Sequence, residues 1–326
     1  MKFSRRREAS LELAAIIFIA ASTALAADPE FPKGPVKFVV PFPPGGPTDT
    51  IARIAAQKLQ EIWGQPAILE YKPGAGTVIG TDAVAKSAPN GHTIGVVVST
   101  YTINPSLRRT MPFDTLKDLA GVTQLASMPI ALVAHPAVPF NTVPEMIAYA
   151  KRNPGKLSFA TPGPGGTAHL SGELLKGAAG IDMVHIGYKG SAPAQTDLMG
   201  GRVDLMFDPM LSAMPFVRAG KLKVIAVLSE GRIPGFAQYP TIAEHYPGLN
   251  VSAMLGFVVP SATPRSVIEK IQADTAAVLR LPDVAKRATE LGLDVVASTP
   301  SAFDAFIQGE IRKWGKVIQD AGIPRE

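Results

Sequence analysis

Two hydrophobic rhythms alternate along the chain after its first thirty residues. Short apolar runs rich in Val, Ile and Phe read as strands: Val36 to Val40, Ala67 to Tyr71, Thr93 to Val98, Gly121 to Leu125, Ala131 to Ala134, Leu157 to Ala160, Met183 to Ile186, Val203 to Phe207, Val224 to Leu228 and Met254 to Val259. Between them the apolar spacing lengthens to the helical period. After the first strand, Ile51, Ile54, Ala55, Leu59 and Ile62 fall on one helix face, and Thr48 or Asp49 stands where a cap belongs. Thr77 to Lys86, Pro144 to Lys151, Ala192 to Met199, Pro264 to Leu279 and Ser301 to Ala321 are further helical stretches. Strand and helix in alternation predict an α/β fold.

The connections carry the chemistry. Val39-Val40-Pro41-Phe42-Pro43-Pro44-Gly45-Gly46-Pro47-Thr48-Asp49 runs from a strand through a Gly/Pro loop into a helix start. Such a start presents free backbone N–H groups and the positive end of the helix dipole, which favour a carboxylate or phosphate. Leu157-Ser158-Phe159-Ala160-Thr161-Pro162-Gly163-Pro164-Gly165-Gly166-Thr167-Ala168-His169 repeats the arrangement in the second half. Two cradles in two halves suggest one anionic ligand between them. Gly163, Gly165 and Ala168 also fit a loose dinucleotide fingerprint, but Asp182 precedes the next strand instead of ending it, so the ribose carboxylate is misplaced. No cofactor is expected.

The first residues point to export. Lys2, Arg5, Arg6 and Arg7 precede an uncharged stretch from Leu13 to Ala27, and Ala24-Leu25-Ala26 offers a small-x-small cleavage site, so residues 1–26 read as a signal peptide. Asp28-Pro29-Glu30 interrupts the apolar stretch before it is long enough to span a bilayer. Cleavage takes four Lys/Arg and two Asp/Glu from totals of 32 and 27, which leaves a net charge of about +3 without a basic run, so no nucleic acid is expected. The chain has no cysteine, which excludes disulfide and thiolate-metal chemistry. Its five histidines lack metal-ligand spacing, and Gly-x-Ser-x-Gly, Ser-x-x-Lys, His-Glu-x-x-His and Gly-Lys-Ser/Thr motifs are absent. A binding protein is favoured over an enzyme; a sensing module for a membrane receptor and a secreted hydrolase are the alternatives.

Five motifs in order carry a resemblance. Val40-Pro41-Phe42-Pro43-Pro44-Gly45-Gly46-Pro47-Thr48-Asp49, Lys72-Pro73-Gly74-Ala75-Gly76-Thr77-Val78-Ile79-Gly80, Ile103-Asn104-Pro105-Ser106-Leu107, Tyr188-Lys189-Gly190-Ser191-Ala192-Pro193-Ala194 and Gly201-Arg202-Val203-Asp204-Leu205-Met206-Phe207-Asp208 resemble the Bug family, the TctC-like substrate-binding proteins of tripartite tricarboxylate transporters. The resemblance implies a periplasmic binding protein, type II-like, of two α/β lobes joined by two crossing hinge strands with the ligand cleft between. It implies a monomer that closes on a small organic carboxylate, makes no chemical change to it and delivers it to membrane permease subunits. By position it places Phe42, Gly45, Gly46, Thr48, Asp49, Gly76, Thr77, Ser99 and Thr100 on the ligand from lobe one, and Thr161, Thr167, His169 and Asp208 from lobe two. Lobe one would comprise 27–125 and 252–326, with the C-terminal helices packed on it, and lobe two 126–251. Tyr71-Lys72 stands where family members commonly have Asn-Arg, Pro209 where Asn is frequent, and Gly187 where proline is usual.

Overall fold

The computed structural model describes residues 31–325 apart from Gly46, Pro234 and Leu291. The segment read as a signal peptide, and Gly46 of the first cradle, lie outside the described residues.

Ten strands form one continuous, mixed sheet. β1 (Val36–Val40) pairs in parallel with β2 (Ala67–Tyr71) and β3 (Thr93–Val98), and β3 pairs antiparallel with β9 (Ser252–Pro260). In the second half β5 (Ser158–Thr161) lies parallel to both β6 (Val184–Gly187) and β7 (Leu205–Pro209). The two halves are joined by β4 (Leu119–Ala134), whose first part pairs with β9 from Leu119 to Pro129 and whose last part, from Ile130, pairs with β7. β8 (Lys223–Val227) flanks the last part on its other side, and β10 (Asp294–Val295) lies against Ser127 and Ala126.

The periodicity predicts two strands here, Gly121 to Leu125 and Ala131 to Ala134, whereas the structure has one. Proline normally ends a ladder because it donates no hydrogen bond. Pro129 stands where β4 passes from one partner to the next, so the missing donor falls at the junction and the strand continues through it.

Helices cover the sheet, and those relevant to the site follow directly from strand ends. α1 (Pro47–Trp63) follows β1, α2 (Val78–Ala85) follows a 3-10 turn at Ala75–Thr77 after β2, and α3 (Thr100–Leu107) follows β3. α4 (Val143–Arg152) precedes β5, α5 (Thr167–Ala179) follows it, α6 (Ser191–Met199) follows β6, and α7 (Met210–Arg218) follows β7. α8 (Arg265–Leu279), α9 (Pro282–Glu290) and α10 (Pro300–Asp320) complete the chain. Of the apolar face predicted for α1, Ile51, Ala55 and Leu59 join Val36, Phe38 and Phe257 in one core and Ile54 packs against it half-buried, but Ile62, in the last turn, is exposed. A separate core in lobe two gathers Phe159, Leu170, Leu175 and Phe207.

The last helix spans two cores. Phe303 and Ile307 of α10 pack with Val39, Val97 and Val258, while Trp314, Val317 and Ile318 join a core that holds Ile103 and Leu107 of α3 as well as Phe159 and Leu170. At 21 residues, about 30 Å of helix, α10 is long enough to reach both. It is anchored on β4 by Gly121 N–H donating to Asp304 Oδ1 at 2.8 Å.

Candidate ligand site

Each cradle is fastened by its own helix. In the first, Gly45 N–H donates to Asp49 Oδ2 at 2.9 Å, and Asp49 also accepts from Tyr71 Oη at 2.7 Å and from Arg53 Nη2 at 3.1 and 3.2 Å. Tyr71 ends β2 opposite Val40 of β1, so the strand register brings the phenol to the loop. Burial raises the Asp49 carboxyl, but the bonds from Tyr71, Gly45 and Arg53 together with the Arg53 charge hold it below its ordinary value.

In the second cradle Gly165 N–H donates to His169 Nδ1 at 3.0 Å. An accepting Nδ1 puts the imidazole proton on Nε2, which lies 3.9 Å from Glu173 Oε1. His169 stacks on His185 with ring centroids 3.8 Å apart. Burial, and then the nearby Lys176 charge, lowers the His169 value to about 4. Burial also lowers His185 to about 4, with His169 and Lys176 contributing and Glu173 opposing. Both rings are neutral at neutral pH. Thr161 completes the cluster, its Oγ1 lying 2.7 Å from His185 Nε2 and 3.1 Å from Gly163 O.

A third loop supports the first. Gly74, Ala75, Gly76 and Thr77 all have positive φ, at 127, 48, 58 and 80°, and such conformations are strained for Ala and Thr. Asn104 Nδ2 donates to Gly76 O at 2.9 Å, and Thr77 Oγ1 lies 2.9 Å from Thr100 Oγ1, which ties the strained segment to α3.

Three helices, α1, α3 and α5, begin at one cavity of about 180 Å³, and each presents a threonine there: Thr48, Thr100 and Thr167. Phe42 and Ser99 also line it. Ser99 Oγ accepts from Met254 N at 2.9 Å, which fixes β9 beside the start of α3. The lobes are in contact at this point: a Cβ on Gly165 would come within 2.6 Å of Leu107 Cδ2 of α3, and its φ of 69° disfavours any side chain in addition.

Five of the residues placed on the ligand by resemblance, Phe42, Thr48, Ser99, Thr100 and Thr167, thus share a cavity. The others are not part of that lining. The side chains of Asp49, Thr161 and His169 are taken up in fastening their own loops, and the Gly45 amide is held by Asp49. Gly76 is exposed, its carbonyl bound by Asn104. Thr77 touches the site through Thr100. Asp208 is fully buried and accepts from Ser191 Oγ and Gln195 Nε2, both at 2.6 Å. Burial pushes its carboxyl up to about 7 against the pull of those two bonds.

Residues without a polar motif form the rest of the wall: Val98, Met128, Ala253, Met254, Leu255 and Leu293. Most lie at strand ends inside runs that read simply as core, and Leu293 sits in an irregular segment after α9. A second cavity of about 400 Å³ lies between α7 and the end of α9, and shares Leu293 with the first.

A family model described as the tripartite tricarboxylate transporter family receptor, TctC, matches residues 51–323. The chain belongs to this family. BugT of Bordetella pertussis is 35% identical over 317 residues, covering 95% of this chain and 97% of its own. Among solved structures, Rpa4515 of R. palustris with adipate is 32% identical with a TM-score of 0.78, over 90% of this chain and 99% of its own. MatC of Rhodopseudomonas palustris with bound malate is 32% identical with a TM-score of 0.74, over 88% and 100% respectively. Members of the family are periplasmic solute-binding proteins, and the two-lobe α/β fold is theirs.

Proposed function

We propose that this chain is an exported receptor that captures a small organic carboxylate between its lobes in the periplasm and delivers it to the permease of a tripartite tricarboxylate transporter. The observation that carries the reading is the convergence of the α1, α3 and α5 starts, each with a threonine, on one cavity lined from both halves of the sheet. First-turn N–H groups lack intrahelical acceptors and the dipoles add, so an anion is stabilised there without a cationic side chain. Among the described residues no Arg or Lys lines this cavity. The adipate and malate held by two relatives of the same fold support the ligand class.

In this reading lobe one is 27–125 with 252–326, and lobe two 126–251. Rotation is absorbed where β4 and β9 cross between the lobes, within Gly121 to Met128 and Asn250 to Phe257. Closure follows from a ligand that contacts both lobes, since it binds the closed arrangement better than the open one.

A thermal-shift screen against a carboxylate library tests the binding step. A ligand at a hundred times its dissociation constant adds about 2.7 kcal/mol to stability. Stabilisation by carboxylates and loss of their uptake in cells lacking the chain are expected; stabilisation by neutral sugars alone defeats the reading.

A further inference from the structure

The cavity is chemically one-sided. Its polar side chains, Thr48, Ser99, Thr100 and Thr167, gather at the helix starts. The rest of its lining includes Phe42, Val98, Met128, Met254, Leu255 and Leu293, whose side chains carry no hydrogen-bond donor. An anion at the helix starts finds partners, whereas a second carboxylate against that wall is stripped of water with nothing to replace it.

The apolar wall continues. Leu293 also lines the second, larger cavity, and Pro129 of that cavity directly follows Met128 of the first. Met210, Met214, Pro215, Ile233 and Phe236 are among its lining residues. Two of them are methionines, whose unbranched side chains adapt to differently shaped apolar ligands. Its charged lining residues are Arg218, Glu290 and Asp294, so carboxylates outnumber the guanidinium and repel a further anion. Size, shape and charge all favour an uncharged hydrocarbon portion in this direction.

We infer that the ligand is a monocarboxylate with an extended apolar body, its carboxylate at the α1, α3 and α5 starts and its body directed past Leu293 toward Met214 and Phe236. This rests on the carboxylate reading above and narrows it: chain length is rewarded and a terminal second carboxylate is penalised.

Calorimetric titration of the unmodified protein with octanoate, butanoate and octanedioate at pH 7.5 tests it. Octanoate is expected to bind at least tenfold more tightly than butanoate, which cannot reach past Leu293, and at least tenfold more tightly than octanedioate, which has the same length. Equal or tighter binding of octanedioate, or of a hydrophilic diacid such as malate, overturns the inference and leaves the carboxylate reading standing. Equal binding of butanoate and octanoate removes the second cavity from the ligand path and also overturns it. Failure of every carboxylate to bind overturns both.

Discussion

Gly45 and Gly165 occupy the same position in the two cradles, and each donates its amide to the side chain four residues on: to Asp49 at 2.9 Å in lobe one and to His169 at 3.0 Å in lobe two. One chemical device, with two different acceptors, shapes both loops. Both glycines have positive φ, 102 and 69°, so the bend each bond closes is one that L side chains resist. The acceptors differ in a way that matters: a carboxylate accepts across the whole neutral range, whereas an imidazole accepts through Nδ1 only while neutral.

Asp49→Ala is expected to lower stability by about 1.5–3 kcal/mol, since it removes the buried carboxylate that accepts from the Gly45 amide, Tyr71 and Arg53. Tyr71→Phe, which removes one of the donors, should cost about 0.5–1.5 kcal/mol. Urea midpoints of the two variants check the order. An Asp49→Ala protein as stable as the parent would show that the loop does not depend on this bond.

Acid should release the second cradle first. The His169 and His185 values near 4 lie below the ordinary 6.5, so the stability that comes from keeping them neutral is complete above pH 6.5 and is lost as pH falls through 4. The loss amounts to about 3 kcal/mol at most for His169 and less for the more exposed His185. Replacing His169 with Phe keeps the ring and removes the titration. Stability measured between pH 7.5 and 4 should then fall less steeply than in the parent; an identical slope would contradict the assignment.

Asp208 has the opposite sign. Its value of about 7 is raised from 3.8, so its contribution is most favourable below pH 4 and is lost as pH rises through 7. Asp208→Asn should therefore gain on the parent by about 2–4 kcal/mol between pH 4 and pH 8, the discount from the full shift reflecting relaxation around the buried charge. Chemical denaturation at the two pH values checks the crossing trend. A constant difference between the proteins would mean that the carboxyl titrates normally.

Thr48→Ala and Thr167→Ala should each weaken ligand binding by about 0.5–1.5 kcal/mol per lost hydrogen bond. They act from opposite lobes, so both losses are expected with one ligand. Calorimetry paired with the melting temperature of the ligand-free protein separates contact from helix-start support. Lost affinity at unchanged stability supports contact; lowered stability at retained affinity assigns the hydroxyl to the fold.

Trp314 anchors the last helix in the core that holds Ile103, Leu107, Phe159 and Leu170. It is fully buried, and its indole Nε1 has no hydrogen-bond partner among the described residues. Trp314→Ala should cost about 3–5 kcal/mol through the cavity it leaves. Trp314→Phe should cost much less, because removal of an unsatisfied donor, about 1–3 kcal/mol, offsets lost packing. Equal losses for the two variants would show that the indole nitrogen is not buried unpaired.

What the linear chain determined is the repertoire of local structure. The strand runs, the face of α1 marked by Ile51, Ala55 and Leu59, and the two Gly/Pro loops opening helices at Thr48 and Thr167 follow from periodicity and from backbone preferences that act over a few residues. The motif order Val40 to Asp208 carried the family for the same reason, since those loops are contiguous in sequence. Which atoms face the ligand was decided only by the fold. Asp49 and His169 look like site residues because they stand at helix starts, yet four residues back along the chain each has a glycine amide to satisfy once that glycine takes its positive φ. Asp208 ends a strand at the cleft, but the helix that follows β6 covers it with Ser191 and Gln195. The apolar wall, with Leu293 placed beside Met128, comes from segments more than 150 residues apart. Side-chain periodicity marks a residue as buried without saying against what, and only the tertiary packing of β3, β4 and β9 against the helix starts turns part of the core-like pattern into the lining of a cavity.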